Sequence, residues 1–574
     1  MASVPKEVIM NVKKNERIFP KVACFKDLIA ICSERGEKAA FTYPIKKEFK
    51  TLSYGDFAKK VTAIAAGLTK LGLNGKRIAV IGETSPEWVA SYFATIVSGG
   101  VIVPMDKELA IEEIEGFLAG VEAEAIFYSG SFNEKIKNAI ENHPSLCTFI
   151  PFNPAAEEEN EKLLPIDSLI ALGEAEIEQG YTLPDRNSKD LAVMLFTSGT
   201  TGTSKCVMLC ENNIIATSNA ACESVNFSDQ DRTLSVLPLH HTYEMTIMVA
   251  SLTYGIHVGI NDSLRNLMRN INEIKPTALV LVPLFVNTIY KRIWDSAKKK
   301  GKDKLLRRMI PLSNAMKKMG IDMRRKLFKS VLEAFGGELC KIICGGAPLN
   351  PEMVKNFYSF GIQICEGYGI TECSPLISVS PYFKQKRGSV GPAVPCCEAR
   401  IADAAPGDKG YDEGEIQVKG ENVMLGYYNN DEANAGAFTE DGWYRTGDVG
   451  YMDEEGYIYI TGRLKSVIVL ENGKNVFPEE IEEYLEEIEE IAECVVVGRK
   501  GEDGETVNLT AVVYPNRELF PEGTADEEIH KAIYAKIQAL NKKIASFKKI
   551  KDLELRTEEF EKTTSRKIKR HLVK

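Results

Sequence analysis

The chain alternates two hydrophobic periods over most of its length. Tyr54 to Leu71 repeats apolar positions at helical spacing, and Arg77-Ile-Ala-Val-Ile-Gly82 is a short apolar run of the kind that forms a buried strand. Pro86 to Val97 returns to the helical period, Val101 to Pro104 is again strand-like, Ala110 to Ala119 helical, and Ala123 to Tyr128 strand-like. This rhythm predicts a parallel sheet covered by helices. An acidic, proline-bounded loop at residues 153–165 interrupts it; the rhythm resumes with the strand Leu191–Phe196 and runs to about residue 375. From there to residue 462 the pattern changes to short segments such as Glu415–Lys419 and Gly456–Ile460 between Gly, Asp and Asn turns, the mark of a small all-β unit. Beyond residue 466 a compact α+β tail is expected, with a helix over Glu479–Ile491, strands over Cys494–Val497 and Asn508–Tyr514, and a further helix before a basic end. No fixed-period repeat is present.

Composition changes this picture little. A chain of 574 residues is too long for one core. Its 44% hydrophobic and 26% charged content suits a globular protein, and a net charge of −10 gives no argument for nucleic-acid binding. The N-terminal residues lack the apolar core of a secretory signal, and no apolar run approaches the roughly 20 residues of a membrane-spanning helix. The 13 cysteines are scattered, without a CxxC pair, and the six histidines do not gather around them, so free thiols in a reducing cytoplasm are expected. In the glutamate-rich helix, Ile481, Leu485, Ile488 and Ile491 recur at helical spacing, which places the carboxylates on a solvated face and not around a metal.

Candidate chemistry begins after the strand Leu191–Phe196. Thr197-Ser-Gly-Thr-Thr-Gly-Thr-Ser-Lys205 crowds glycines, hydroxyls and one lysine together. Glycines let successive N–H groups converge on phosphate oxygens, and the lysine adds charge; a plain flexible loop has the same composition. The Walker spacing is absent, because Gly75, Gly301 and Gly473 precede Lys-Arg, Lys-Asp and Lys-Asn. Further along stand Leu237-Pro-Leu-His-His241, Cys344-Gly-Gly-Ala-Pro-Leu349, Glu366-Gly-Tyr-Gly-Ile-Thr-Glu372, Trp443-Tyr-Arg-Thr-Gly-Asp448, Gly462-Arg-Leu-Lys465 and Lys562-Thr-Thr-Ser-Arg-Lys567.

In this order the segments resemble the adenylate-forming superfamily of acyl-CoA synthetases, luciferases and peptide-synthetase adenylation domains, from about Ala23 to the end. The resemblance implies an α/β fold: a large N-terminal domain over residues 1–462, with two helix-covered sheets (about 20–190 and 191–375) and a small β-barrel (376–462). A hinge at 463–465 and a small mobile α+β domain over 466–574 complete it. It further implies that a carboxylate is joined to the α-phosphate of ATP, pyrophosphate leaves, and a thiol takes the acyl group.

By the same resemblance Thr197, Ser198, Gly199, Thr200, Thr201, Gly202 and Lys205 cradle the β- and γ-phosphates. Glu372 binds Mg²⁺, helped by Thr197. Tyr368 stacks on adenine, with Gly346, Ala347, Pro348, Gly367, Gly369 and Thr371 around the base. Asp448 accepts from both ribose hydroxyls and Arg463 backs the ribose and phosphates. Lys567 is the adenylating lysine, and His241 stands at the mouth of the acyl pocket. Lys465 is the hinge about which the small domain turns to present Gly473 and Lys474 to CoA. Three departures from the family's habit concern backbone freedom: Ser204-Lys205-Cys206 for Pro-Lys-Gly, Arg566 for Gly, and Glu561 for Pro.

The basic helical segment 291–329, Val282–Tyr290 and Leu237–Glu244 make the chain more similar to long-chain fatty acyl-CoA synthetases than to acetyl- or aryl-CoA synthetases. The expected substrates are fatty acid, ATP with Mg²⁺, and CoA, with no nucleic acid. Acyl carrier protein stays open as the acceptor, as does a fatty acyl-AMP ligase that stops short of CoA; a catalytically degenerate ATP-binding regulatory protein is the alternative of another class. For segment 291–329, solvated helices and a peripheral contact with an anionic membrane face both remain open.

Overall fold

The computed structural model describes residues 22–46, 48–133, 136, 145–153, 161–197, 204–407, 410–470, 475–500, 507–562 and 568–573. The seven-stranded sheet holds the strands foreseen from the apolar runs: Arg77–Ile81 lies between Val101–Pro104 and Ala125–Tyr128, all parallel, and Thr148–Pro151 extends the latter side. Leu191–Thr197 runs parallel to Val101–Pro104, then Lys205–Cys210 returns antiparallel beside it. Thr197 and Lys205, which flank the glycine- and hydroxyl-rich segment, stand opposite each other at the end of this antiparallel pair.

The helices over this sheet start where their caps dictate. Ser53 Oγ accepts from the Asp56 N–H at 3.0 Å to begin Tyr54–Lys70, and Ser85 Oγ accepts from the Trp88 N–H at 3.2 Å ahead of Pro86 in Pro86–Val97. They bury an aromatic cluster in which Phe57 and Phe25 pack edge-on against Phe93, with Trp88 stacked on Tyr92. Helix Ile166–Glu178 crosses Tyr54–Lys70 at glycine contacts: a Cβ on Gly173 would stand 1.8 Å from the Ala63 carbonyl oxygen, and one on Gly67 2.4 Å from that of Leu169.

A second sheet orders Glu48–Ser53, Ala39–Ile45, His257–Ile260 and Arg232–Ser235. A third sets Ala278–Leu281, Lys341–Gly345 and Gln363–Gly369 parallel, with Leu376–Val379 antiparallel at its edge. The region 376–462 contributes a five-stranded antiparallel sheet containing Asp412–Gly420, Tyr444–Met452 and Tyr457–Arg463. It is not purely β. Asn430 caps a helix over Asp431–Ala437, and the short strand Gly426–Tyr427 leaves the unit to pair with Lys205–Cys210.

The C-terminal domain packs helices Pro478–Leu485 and Asp526–Asn541 on a sheet of Ile491–Lys500, Val507–Pro515 and Asp552–Leu555, around Ile481, Leu485, Val513 and Ile533. Here the glutamate-rich helix stops at Leu485, well before the expected Ile491, which instead opens a strand. Nor is every glutamate solvated. Glu482 is buried, accepts from the Val496 N–H at 2.6 Å and pairs with Arg570. Burial pushes its carboxyl up to about 7 despite that arginine. The basic C-terminus is accordingly folded back, since Lys562 also pairs with Glu493 and Glu559.

Candidate active site

The segments around Gly345, Tyr368, Glu372, Asp448 and Arg463 meet at the ends of strands in the third and five-stranded sheets, beside Lys205 of the seven-stranded one, whereas Lys562 pairs within the C-terminal domain. Lys341–Gly345 and Gln363–Gly369 are neighbours in register, with Gly345 opposite Gly367. A Cβ on Gly345 would lie 3.0 Å from the Gly367 carbonyl oxygen, and Gly346 adopts φ +99°, so glycines set this turn. Gly346, Ala347 and Pro348 lie exposed just beyond the strand residue Gly345, which stands opposite Gly367, and form a ledge there. Gly369 has no alternative residue, because a Cβ there would fall 2.1 Å from the Pro375 carbonyl oxygen.

Tyr368 leads from the ledge inward. The residue is 7% exposed, and its hydroxyl donates to Asp448 Oδ2 at 2.7 Å. Asp448 is 4% exposed and sits opposite Arg463 in the antiparallel ladder; Arg463 Nε lies 3.0 Å from Oδ1. Each carboxylate oxygen thus already has one protein donor and keeps lone-pair capacity for one more. This refines the expectation of two oxygens held open for two ribose hydroxyls: Tyr368 and Arg463 fix the carboxylate first.

A second network gathers around Glu372, which follows Thr371 in the 3-10 turn Thr371–Cys373. Glu372 Oε1 accepts from the Tyr427 hydroxyl at 2.8 Å, and that hydroxyl lies 3.3 Å from the Tyr444 hydroxyl. Lys205 Nζ stands 4.7 Å from the centre of the Tyr427 ring, a cation–π contact. The Thr197 hydroxyl donates to the Lys205 carbonyl at 3.4 Å, and Phe196 stacks on Phe117. Tyr427 and Tyr444 were not anticipated as site residues. Tyr444 stands inside the flagged segment Trp443–Asp448, where only Asp448 was given a role, and for Tyr427 only the two adjacent aromatics after Gly426 could have drawn attention.

Among the described residues no group of three or more His, Cys, Asp or Glu side chains could hold a metal alone. A Mg²⁺ ion fits the donors all the same. A carboxylate oxygen of Glu372 and the Thr197 hydroxyl are hard ligands, of the kind that supplement phosphate oxygens and water around this ion.

The histidines divide. His240 lines a small cavity with Tyr92, Pro104, Val193, Met245 and others, and its Nε2 lies 3.4 Å from Asp106 Oδ2. His241 is the N-cap of helix Thr242–Tyr254, its ring 4.2 Å from that of His240. Lys465 is exposed in the 3-10 turn Leu464–Ser466, where the antiparallel ladder ends. Of the departures, Cys206 is a core residue opposite Phe196, and burial pushes its thiol up to about 12. Ser198, Gly199, Thr200, Thr201, Gly202, Gly473, Lys474, Arg566 and Lys567 lie outside the described residues. The last two belong to a segment whose ends are described: Lys562 and Ile568 form an antiparallel bridge.

Comparison with known proteins agrees with this architecture. The family model for the AMP-binding enzyme matches residues 30–428, and that for the AMP-binding enzyme C-terminal domain matches 465–574. A long-chain-fatty-acid–CoA ligase of Mycobacterium bovis is 30% identical over 458 residues, spanning 77% of this chain and 74% of that protein. Long-chain-fatty-acid–CoA ligase 6 of Mus musculus is 29% identical over 569 residues, spanning 92% and 80%. In fold, the adenylation domain of a carboxylate reductase from Mycobacterium chelonae superposes with a TM-score of 0.78 over 98% of this chain and 90% of its own, at 21% identity. With both domains matched in sequence and the fold shared, the chain belongs to the AMP-binding enzyme family.

Proposed function

We propose that the protein is an AMP-forming acyl-CoA synthetase that activates a long-chain fatty acid as acyl-adenylate, releases pyrophosphate, and passes the acyl group to CoA. The observation that carries this reading is a set of three neighbouring parts tied by contacts of Tyr368, Asp448, Glu372 and Tyr427. These are the glycine ledge at Gly345–Pro348 and Gly367–Gly369, the Tyr368–Asp448–Arg463 unit, and the Glu372–Tyr427–Lys205 network. The ledge admits a flat base, Asp448 holds the ribose, and Lys205 with the glycine- and hydroxyl-rich segment neutralises the triphosphate. Glu372 and Thr197 would hold Mg²⁺, which offsets phosphate charge when bound. Lys567 is assigned the contact with both the carboxylate and the α-phosphate. Lys465 is assigned the turn that replaces it with the 471–475 loop for the thiol step. The long-chain assignment is supported by the names of the relatives above.

ATP–pyrophosphate exchange over fatty acids of rising chain length tests the reading. Exchange is expected to be acid-dependent and strongest with long chains, to disappear in Lys567→Ala, and to be followed by CoA consumption. A preference for short or aryl acids would overturn the substrate assignment. Use of acyl carrier protein in place of CoA would overturn the acceptor. ATP binding without exchange for any acid would leave a binding protein.

A further inference from the structure

The segment 291–329 carries fifteen Lys and Arg against three Asp, in a chain whose net charge is −10. Some of these cations serve the fold. Arg307 lies over Trp294 at 4.6 Å, Arg324 and Lys317 over Tyr358 at 4.5 and 4.2 Å, and Arg325 donates to the Leu339 and Gly337 carbonyls, both at 2.8 Å. Lys298, Lys299, Lys300, Lys304, Arg308 and Lys318 remain exposed.

Helix Asp303–Lys318 holds one face to the protein: Leu306 and Ser313 are buried, and Asn314 Nδ2 donates to Ser359 Oγ at 2.9 Å on the neighbouring helix Pro351–Phe360. On its free side Leu305, Leu312 and Met319, seven residues apart, are 54%, 56% and 69% exposed. Seven residues is close to two helical turns, so the three side chains form one row, with Lys304 and Arg308 beside it. Ile321, just past the helix, is also exposed.

Large aliphatic side chains in a row, flanked by cations on long stems, suit the interface of a bilayer. There the apolar tips enter the acyl boundary while lysine and arginine reach anionic headgroups. We propose that this face is a docking surface for an anionic lipid bilayer. A protein partner would want shaped pockets, whereas a ridge of flexible aliphatic chains and mobile ammonium groups needs only a flat, fluid, negatively charged surface. The charge complementarity is local and runs against the sign of the whole chain.

Co-sedimentation of the full chain with vesicles of phosphatidylcholine alone, or of phosphatidylcholine mixed with phosphatidylglycerol, tests this. Binding should favour the anionic vesicles by at least about tenfold and weaken with salt. The combined variant Lys304→Gln, Arg308→Gln should lose about fivefold in partition per residue on those vesicles. Leu305→Ser with Leu312→Ser and Met319→Ser should also reduce binding, with ATP–pyrophosphate exchange on a water-soluble acid unchanged in both variants as evidence of intact folding. The proposal is overturned by equal binding to the two vesicle types, by no binding at low salt, or by undiminished binding of both variants. It is likewise overturned if the serine variant changes only the self-association of the chain, or if the face binds an acidic carrier protein and no vesicle.

Discussion

At the residue scale, Tyr427 joins two charges that the proposed chemistry needs together. Its hydroxyl donates to Glu372 and its ring carries the Lys205 ammonium, so one buried side chain sets both the carboxylate and the cation. A hydrogen bond to a charged group contributes about 1.5–3 kcal/mol. Tyr427→Phe keeps the ring and removes the donor. It should lower kcat/KM for MgATP by about tenfold or more and raise the Mg²⁺ concentration needed for half-maximal exchange, with little change in Tm. Unaltered Mg²⁺ dependence would make Tyr427 a packing residue. The residues of the ledge and of the Asp448 unit were legible as motifs, because each lies within a short run with its own chemistry. Tyr427 was not, since its role arises from segments around residues 205, 372, 427 and 444 that meet only in the fold.

At the scale of elements, helix positions were well marked wherever a cap stood before an apolar period. Pro86–Val97 follows its Ser-Pro start, and Tyr54–Lys70 its serine cap. Periodicity misled at residues 479–491, where strand residue Ile491 extended a helical spacing that had already ended at Leu485. Glu482 shows why charge alone could not correct this: the energy of pairing with Arg570 depends on a partner 88 residues away. Helix–helix distance was equally hidden. Gly173 and Gly116 are both helical glycines, for which alanine is intrinsically better by about 1 kcal/mol. A Cβ on Gly116 would meet nothing within 4 Å, whereas one on Gly173 would overlap the Ala63 carbonyl. Thermal unfolding should therefore show Gly116→Ala slightly stabilised. Gly173→Ala should be destabilised by about 1–3 kcal/mol, since overpacking outweighs propensity. Stabilisation of both would mean that the two helices separate at little cost.

At the scale of the whole molecule, the two domains meet with like charges in apposition. Glu366, on the strand that carries the ledge, is pushed up to about 7, first by burial and then by Glu483 of helix Pro478–Leu485; the Leu349 amide offsets this in part. An acid raised in the folded state stabilises below its ordinary value of 4.5, and that contribution is lost as pH rises through about 7. Glu366→Gln should match the parent in stability at and below about pH 4.5 and exceed it increasingly up to about pH 7, the gap growing by at most about 1.4 kcal/mol per pH unit and then levelling. A constant gap across that range would remove Glu366 from the pH response.

The ladder that pairs Asp448 with Arg463 ends two residues before Lys465. In any rotation, displacement grows with distance from the pivot. A turn at Lys465 would leave the ribose end nearly still, while parts of the small domain far from that lysine sweep wide arcs. A nucleotide gripped at Asp448 could then stay seated through the exchange of one domain face for another, so intermediate retention would follow from leverage, without a separate latch.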